Sequence, residues 1–214
     1  MTVKICGITR LEDAEAAVRH GATAIGFNFW PKSPRAIQVA HARAIAQQLP
    51  AHILKVGVFV DAPADEVRRV VAEAGLNVAQ LHGHETPAYA ASLGCAVWTA
   101  MDVAQCATTR EWPVDVPVLL DAIDPVVRGG TGRQVDWARA ATCARARQVI
   151  LAGGLTAENV ELAIAEVRPF GVDVSSGVEH APGLKDGAKI ERFIRAALRA
   201  FDALRADAER GATA

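Results

Sequence analysis

Eight short runs of β-forming apolar residues recur at near-regular spacing along the 214-residue chain, and this repetition limits the folds open to it. The runs cover 3–6, 24–28, 54–60, 78–81, 96–100, 116–121, 148–152 and 171–174. Most do not alternate apolar with polar residues, the mark of parallel strands buried on both faces. Between them lie stretches of helical period. Residues 11–20 put Leu11, Ala14, Ala17 and Val18 on one face, with Gly21 as a stop and Thr9 and Glu12 spaced as a capping box. Residues 65–74 present Val67, Val70, Val71 and Ala74 ahead of Gly75, and 157–167 present Val160, Ile164 and Val167 behind Thr156 as a cap. Near the end, Ile190, Phe193, Ile194, Ala197, Leu198, Phe201 and Leu204 keep helical spacing. Weaker patterns cover 36–49, 86–93 and 134–146, and 102–109 has room for a turn or two.

Strands alternating with helices over this length predict an α/β chain of one domain, a compact (β/α)8 barrel over 1–207 with a frayed tail at 208–214. The competing doubly wound sheet lacks support, since no G-x-G-x-x-G follows the first strand. The chain is 51% hydrophobic and 22% charged, enough for a sizeable core. A net charge of -1, with both signs mixed along the chain, favours neither nucleic acid nor an anionic membrane as partner. No apolar run approaches the roughly 18 residues of a membrane span. The N-terminus shows no signal-peptide pattern. Cys6, Cys95, Cys106 and Cys143 are scattered with no C-x-x-C pair, so four reduced thiols in the cytoplasm are expected, without a zinc or dithiol redox site.

Barrels of this kind keep their chemistry where strands end and the following loops begin. The first strand ends at Cys6, directly before Gly7 and a helix start. It reads either as a reactive thiolate or as a small buried core residue. The second leads into Asn28-Phe29-Trp30-Pro31-Lys32-Ser33-Pro34-Arg35, a proline-stiffened loop with two cations. Arg35 suits a carboxylate or phosphate, or is simply a surface arginine. His82, after the fourth strand, is either an anion-binding or polarising group or a structural hydrogen-bonder. The sixth strand ends in Asp121, which burial would turn into a general acid, or which caps the next loop. That loop holds Gly129-Gly130-Thr131-Gly132, flexible enough for close approach to a ligand. The seventh and eighth strands end in Gly153-Gly154 and Ser175-Ser176-Gly177, small residues that either aim backbone N–H groups at one anion or only turn the chain.

In this order, KICGIT at 4–9, GFNFWPKSPR at 26–35, VGVFVD at 56–61, QLHGHE at 80–85, LLDA at 119–122, GGTG at 129–132, LAGGL at 151–155, DVSSGVE at 173–179 and PGLKD at 182–186 resemble the phosphoribosylanthranilate isomerase family of tryptophan biosynthesis. The resemblance covers nearly the whole chain. It implies a (β/α)8 barrel without cofactor or metal, often monomeric, acting on one small-molecule substrate by an Amadori rearrangement. Carried to matching positions, Cys6 is the general base and Asp121 the general acid. Arg35 holds the anthranilate carboxylate, and Gly153, Gly154, Ser175, Ser176 and Gly177 hold the phosphate. His82 and Gly130 are further substrate-binding candidates, and Phe29 and Trp30 either flank the anthranilate ring or pack the loop. The chain departs from the common pattern at Ala36, His84 and Arg133, none of them the acid or base.

Two other readings compete. An isomerase of another aminated phosphosugar typically relies on paired carboxylates, where this first strand offers Cys6. A catalytically silent phosphate-binding barrel would need neither Cys6 nor Asp121. A Cys–His nucleophile has no specifically placed partner, His82 being only a remote one.

Overall fold

Eight parallel strands close on themselves in chain order. The computed structural model describes residues 1–122 and 135–212. In it β1 (Thr2–Cys6), β2 (Ala24–Asn28), β3 (Leu54–Phe59), β4 (Val78–Leu81), β5 (Ala96–Asp102), β6 (Val118–Asp121), β7 (Val149–Leu151) and β8 (Gly171–Val174) form a closed barrel. The seam pairs β1 with β8, Lys4 lying opposite Asp173. The chain returns between strands through α1 (Leu11–His20), α2 (Val39–Ala46), α3 (Ala64–Ala74), α4 (Pro87–Ser92), α5 (Trp137–Ala144) and α6 (Val160–Val167). After β5 the return is a 3-10 helix, Val103–Glu111, capped by Asp102. The last helix, α7 (Gly187–Ala212), runs through 208–212, where a frayed end was expected. The (β/α)8 expectation holds, and closure excludes the open doubly wound sheet.

Alternation along each strand builds two apolar layers. Ile25 and Leu120 face outward to the helices and join Ala14, Ala17 and Ile194. Their neighbours Ala24 and Leu119 face inward and meet Val56, Val78, Trp98 and Ile150 in a separate interior cluster. That cluster is the apolar floor of the barrel. Elsewhere the interior turns polar: Gln80 and Asp121 on β4 and β6, Lys4 and Asp173 on β1 and β8, and His82 just after β4 are all buried.

Four local expectations are corrected. Thr9 does not cap α1; its hydroxyl donates to the Gly183 carbonyl at 2.5 Å, and Arg10 stands at the cap, its side chain paired with Asp13 and capping no backbone N–H. The helix expected from Ala157 starts at Val160, and Thr156 caps the turn before it, its Oγ1 accepting from the Glu158 N–H at 3.3 Å while its N–H donates to Asn159 Oδ1 at 2.8 Å. The loop after β8 holds an unforeseen antiparallel hairpin, β9 (Glu179–Ala181) and β10 (Leu184–Lys185). Finally, the four thiols are not all free. Cys106 and Cys143 form a disulfide, with Cα atoms 6.1 Å apart, while Cys6 and Cys95 are free. The bridging pair is 37 residues apart in sequence, so only packing of α5 against the 3-10 helix brings it together.

Candidate active site

The polar end of the barrel opens into a cavity lined by Cys6, Asn28, Trp30, Arg35, Gln80, His82, Asp121, Asp173 and Ser175. Six of the barrel strands, or the loops that follow them, supply its walls.

Cys6 ends β1 two residues after Lys4, so both side chains lie on the inner face. Burial pushes its thiol above the usual range, and the Lys4 ammonium opposes that shift. Gly7, which follows, has φ of +73°, and a Cβ there would lie 2.6 Å from Arg35 Cδ and 3.1 Å from Ser175 Oγ. A glycine is needed at this point by both the backbone and the crowding of two other site residues. Lys4 is fully buried, and its Nζ donates to Asp173 Oδ1 at 2.9 Å.

Asp121 ends β6 and is 7% exposed. Burial, with the Asp173 carboxylate nearby, pushes its carboxyl up to about 6. A carboxyl group at that value is protonated far more often near neutral pH than an ordinary one, which is what a general acid requires. His82 is buried on the same side, its Nε2 3.8 Å from Asp121 Oδ2 and its Nδ1 3.2 Å from Gln80 Nε2.

The loop after β2 is tied down from within. Asn28 Oδ1 accepts from the Trp30 N–H at 2.9 Å, and Ser33 Oγ accepts from the Arg35 N–H at 3.1 Å. Phe29 stacks on Phe59, with ring centroids 5.4 Å apart, whereas Trp30 lines the cavity. The two cations of this loop part company: Lys32 is exposed, and Arg35 is buried. Arg35 donates through Nε and Nη2 to the two oxygens of Glu179, at 2.8 and 2.7 Å. Its Nη1 takes no part in that fork. Glu179 also accepts from Lys185 Nζ at 2.8 Å and from the Gly183 N–H at 3.2 Å. Burial alone would raise this carboxyl, but Arg35 and Lys185 outweigh it and hold Glu179 below the usual range.

A second cavity adjoins the first, sharing Asp121, Asp173 and Ser175 with it. Gly153, Gly154, Ser176 and Gly177 are among the other residues that line it. Gly153 and Gly154 have φ of +76° and +65°. A Cβ on Gly177 would fall 2.0 Å from the Leu155 carbonyl oxygen, so the loops after β7 and β8 touch backbone to backbone. Such a nest of small residues beside a 3-10 turn, Ser176–Val178, suits an anion. Gly130, with the rest of GGTG and Arg133, lies outside the described residues.

The family model for N-(5'-phosphoribosyl)anthranilate isomerase matches residues 3–196. The chain belongs to the phosphoribosylanthranilate isomerase family. The family's protein from Cellvibrio japonicus is 47% identical over 202 residues, covering 92% of this chain and 94% of its own length. Among solved structures, a phosphoribosylanthranilate isomerase in complex with reduced 1-(o-carboxyphenylamino)-1-deoxyribulose 5-phosphate is similar, with a TM-score of 0.81 and 40% identity over 92% of this chain and 98% of that one. A structure of monomers of the dimeric phosphoribosylanthranilate isomerase from Thermotoga maritima has a TM-score of 0.83 and 38% identity, again over 92% and 98%.

Of the residues singled out from the family motifs, Cys6, Arg35, His82 and Asp121 meet at one cavity, and Gly153, Gly154, Ser175, Ser176 and Gly177 at the adjoining one. Sequence reasoning missed Lys4, Gln80, Asp173, Glu179 and Lys185. Each is a polar residue in or beside a strand and is 8% exposed or less, a burial that the sequence alone does not report. Among the described residues, no cluster of three His, Cys, Asp or Glu is placed to hold a metal, and no helix is long and apolar enough to cross a membrane.

Proposed function

We propose that this chain converts N-(5'-phosphoribosyl)anthranilate to 1-(2-carboxyphenylamino)-1-deoxyribulose 5-phosphate, the isomerase step of tryptophan biosynthesis, with Cys6 as base and Asp121 as acid. The observation that carries the reading is the shared cavity: a thiol on β1 and a raised carboxyl on β6 border one space, with Arg35 on one side and the small-residue loops on the other.

The substrate is anionic at both ends. Its phosphate takes the nest at Gly153-Gly154 and Ser175-Ser176-Gly177, and its carboxylate meets Arg35, whose Nη1 the Glu179 fork leaves over. His82 is assigned to the substrate contacts between them, and Gly130 stays a further substrate-binding candidate from the family motif. So held, the ribose lies between acid and base. Asp121 gives its proton to the ring oxygen, the bond from that oxygen to C1 breaks, and the anthranilate nitrogen lone pair forms the C1 iminium. The Cys6 thiolate then takes the proton from C2; that C–H electron pair becomes the C1–C2 double bond and the iminium electrons return to nitrogen. The enolamine tautomerises to the ketone.

The test is a fluorescence assay in which a transferase makes phosphoribosylanthranilate in place from anthranilate and phosphoribosyl pyrophosphate. Loss of anthranilate-type fluorescence that needs the protein and vanishes in Cys6→Ala supports isomerase and base together. Loss that survives Cys6→Ala reassigns the base. No loss beyond spontaneous hydrolysis rejects the activity. The cytoplasm is the compartment this reading implies. Since one chain lines both cavities, we propose that it works as a monomer, which light scattering tests.

A further inference from the structure

The Lys4–Asp173 ion pair lies between the acid and the base and belongs to neither. Lys4 Nζ is bonded to Asp173 Oδ1 at 2.9 Å, and the two residues face each other across the β1–β8 seam. One end of the pair abuts Cys6. A Cβ built on Gly26 would lie 2.9 Å from both Cys6 Sγ and Lys4 Cε, so the thiol and the lysine stem border the same small space. The other end abuts Asp121: Asp121 and Asp173 line both cavities together. The pair therefore has its positive end toward sulfur and its negative end toward the carboxyl.

Resting on the reading that Cys6 is the base and Asp121 the acid, we propose that Lys4 and Asp173 are positioning residues that bias the proton shared by these two groups toward Asp121 and the negative charge toward sulfur, raising the share of the reactive arrangement. The reaction starts from thiolate and carboxylic acid. Thiol and carboxylate is the same site with the same total charge and the proton on the other group. A fixed dipole between the two seats discriminates between these arrangements, whereas a single charge placed midway would favour both anions alike. The direction of each influence agrees. At Cys6 the lowering by Lys4 exceeds the raising by Asp173, and at Asp121 the raising by Asp173 exceeds the lowering by Lys4. Lys185, from β10, and Arg35, from the loop after β2, also face the thiol, while His82 on β4 and Asp102 on β5 face Asp121. None of these four bridges the two.

The test reads the two groups without substrate. The pH midpoint of Cys6 alkylation by iodoacetamide is followed by peptide mass spectrometry, which separates it from Cys95. The Asp121 carboxyl is followed by carbon NMR. In Lys4→Met the Cys6 midpoint is expected to rise by about one pH unit or more. In Asp173→Asn the Asp121 midpoint is expected to fall toward an ordinary carboxylate. Turnover is expected to drop by about tenfold or more in each, and Lys4→Arg to restore the Cys6 midpoint. Because a single variant leaves a buried charge unpaired and can fail to fold, the charge-free pair Lys4→Met with Asp173→Asn is measured as well. It is expected to move the two midpoints apart in those same directions. Folded variants in which neither midpoint moves overturn the proposal. Failure of the isomerase reading would show separately, as turnover that survives Cys6→Ala.

Discussion

Arg35 and Glu179 grip each other across the mouth of the barrel in a two-point ion pair, Nε to Oε1 at 2.8 Å and Nη2 to Oε2 at 2.7 Å. The arginine comes from the loop after β2 and the glutamate from β9. The planar fork fixes the orientation of the guanidinium before any ligand arrives. Lys185 and the Gly183 N–H fix the glutamate in turn.

Arg35→Ala is therefore expected to do two things. The KM for phosphoribosylanthranilate should rise by about tenfold or more as a charge-assisted bond to the carboxylate is lost. Stability should fall by about 3 kcal/mol, since a buried carboxylate loses one of its two cations. Steady-state kinetics and urea unfolding separate the effects. An unchanged KM would remove Arg35 from carboxylate binding.

The pH dependence of kcat/KM should be a plateau with a limb on each side. Asp121 titrates at about 6, and the Cys6 thiol above its ordinary value of 9.0. Between these the pair holds one proton, and the fraction with that proton on Asp121 is constant. Activity should rise through about 6, stay level, and fall once the second proton leaves. A profile that declines steadily above 6 would reject this assignment.

Asp121→Asn should abolish most turnover yet stabilise the fold in alkali. The folded carboxyl titrates at about 6 against 3.8 for an ordinary one, so folding favours the protonated form. The stability this contributes is complete below 3.8 and is lost as pH rises through about 6, a difference of about 3 kcal/mol. Asparagine carries no such loss. The variant should be more stable than the parent at about pH 8, by about 1–3 kcal/mol, with the advantage shrinking toward pH 4. Denaturant titrations at several pH values measure it.

Gly177→Ala should weaken phosphate binding with little change in kcat. Its methyl group would meet the Leu155 carbonyl at 2.0 Å and force the loops after β7 and β8 apart. Inhibition by inorganic phosphate and the KM should both weaken by about tenfold. Equal phosphate inhibition in parent and variant would move the anion site elsewhere.

The denatured, unreduced protein should show two thiols with Ellman's reagent, and four after reduction. With Cys106 and Cys143 37 residues apart in sequence, reduction should cost about 3–4 kcal/mol of stability. Disulfides are uncommon in the cytoplasm, so the thiol count of protein prepared without oxidant is the more telling number.

The barrel was legible because strands buried on both faces reduce to short apolar runs, and these alternate with longer stretches of helical period. Cys6, Asp121 and the small-residue loops were legible because a polar or small residue closing such a run is where barrel chemistry sits. Lys4 and Asp173 were not, though each interrupts an apolar strand. Their meaning lies in the β1–β8 pairing, which no local pattern reports. The same holds for Glu179 and Lys185, whose hairpin is two short strands without apolar alternation. The Thr9 capping box failed because a tertiary acceptor, the Gly183 carbonyl, drew the hydroxyl away. The disulfide joins two segments that sequence leaves unrelated.

The seam of the barrel has a consequence for how the molecule is made. The partner of Lys4 is synthesised 169 residues after it, and the hairpin that orients Arg35 later still. A chain emerging from the ribosome thus holds Lys4 and Cys6 from its first few residues but lacks the Asp173 carboxylate until the eighth strand arrives. Until then the lysine that tunes the thiol has nothing to hold it in place. Ring closure, the slowest kind of contact to form because its ends are so far apart, is also the event that turns the chemistry on.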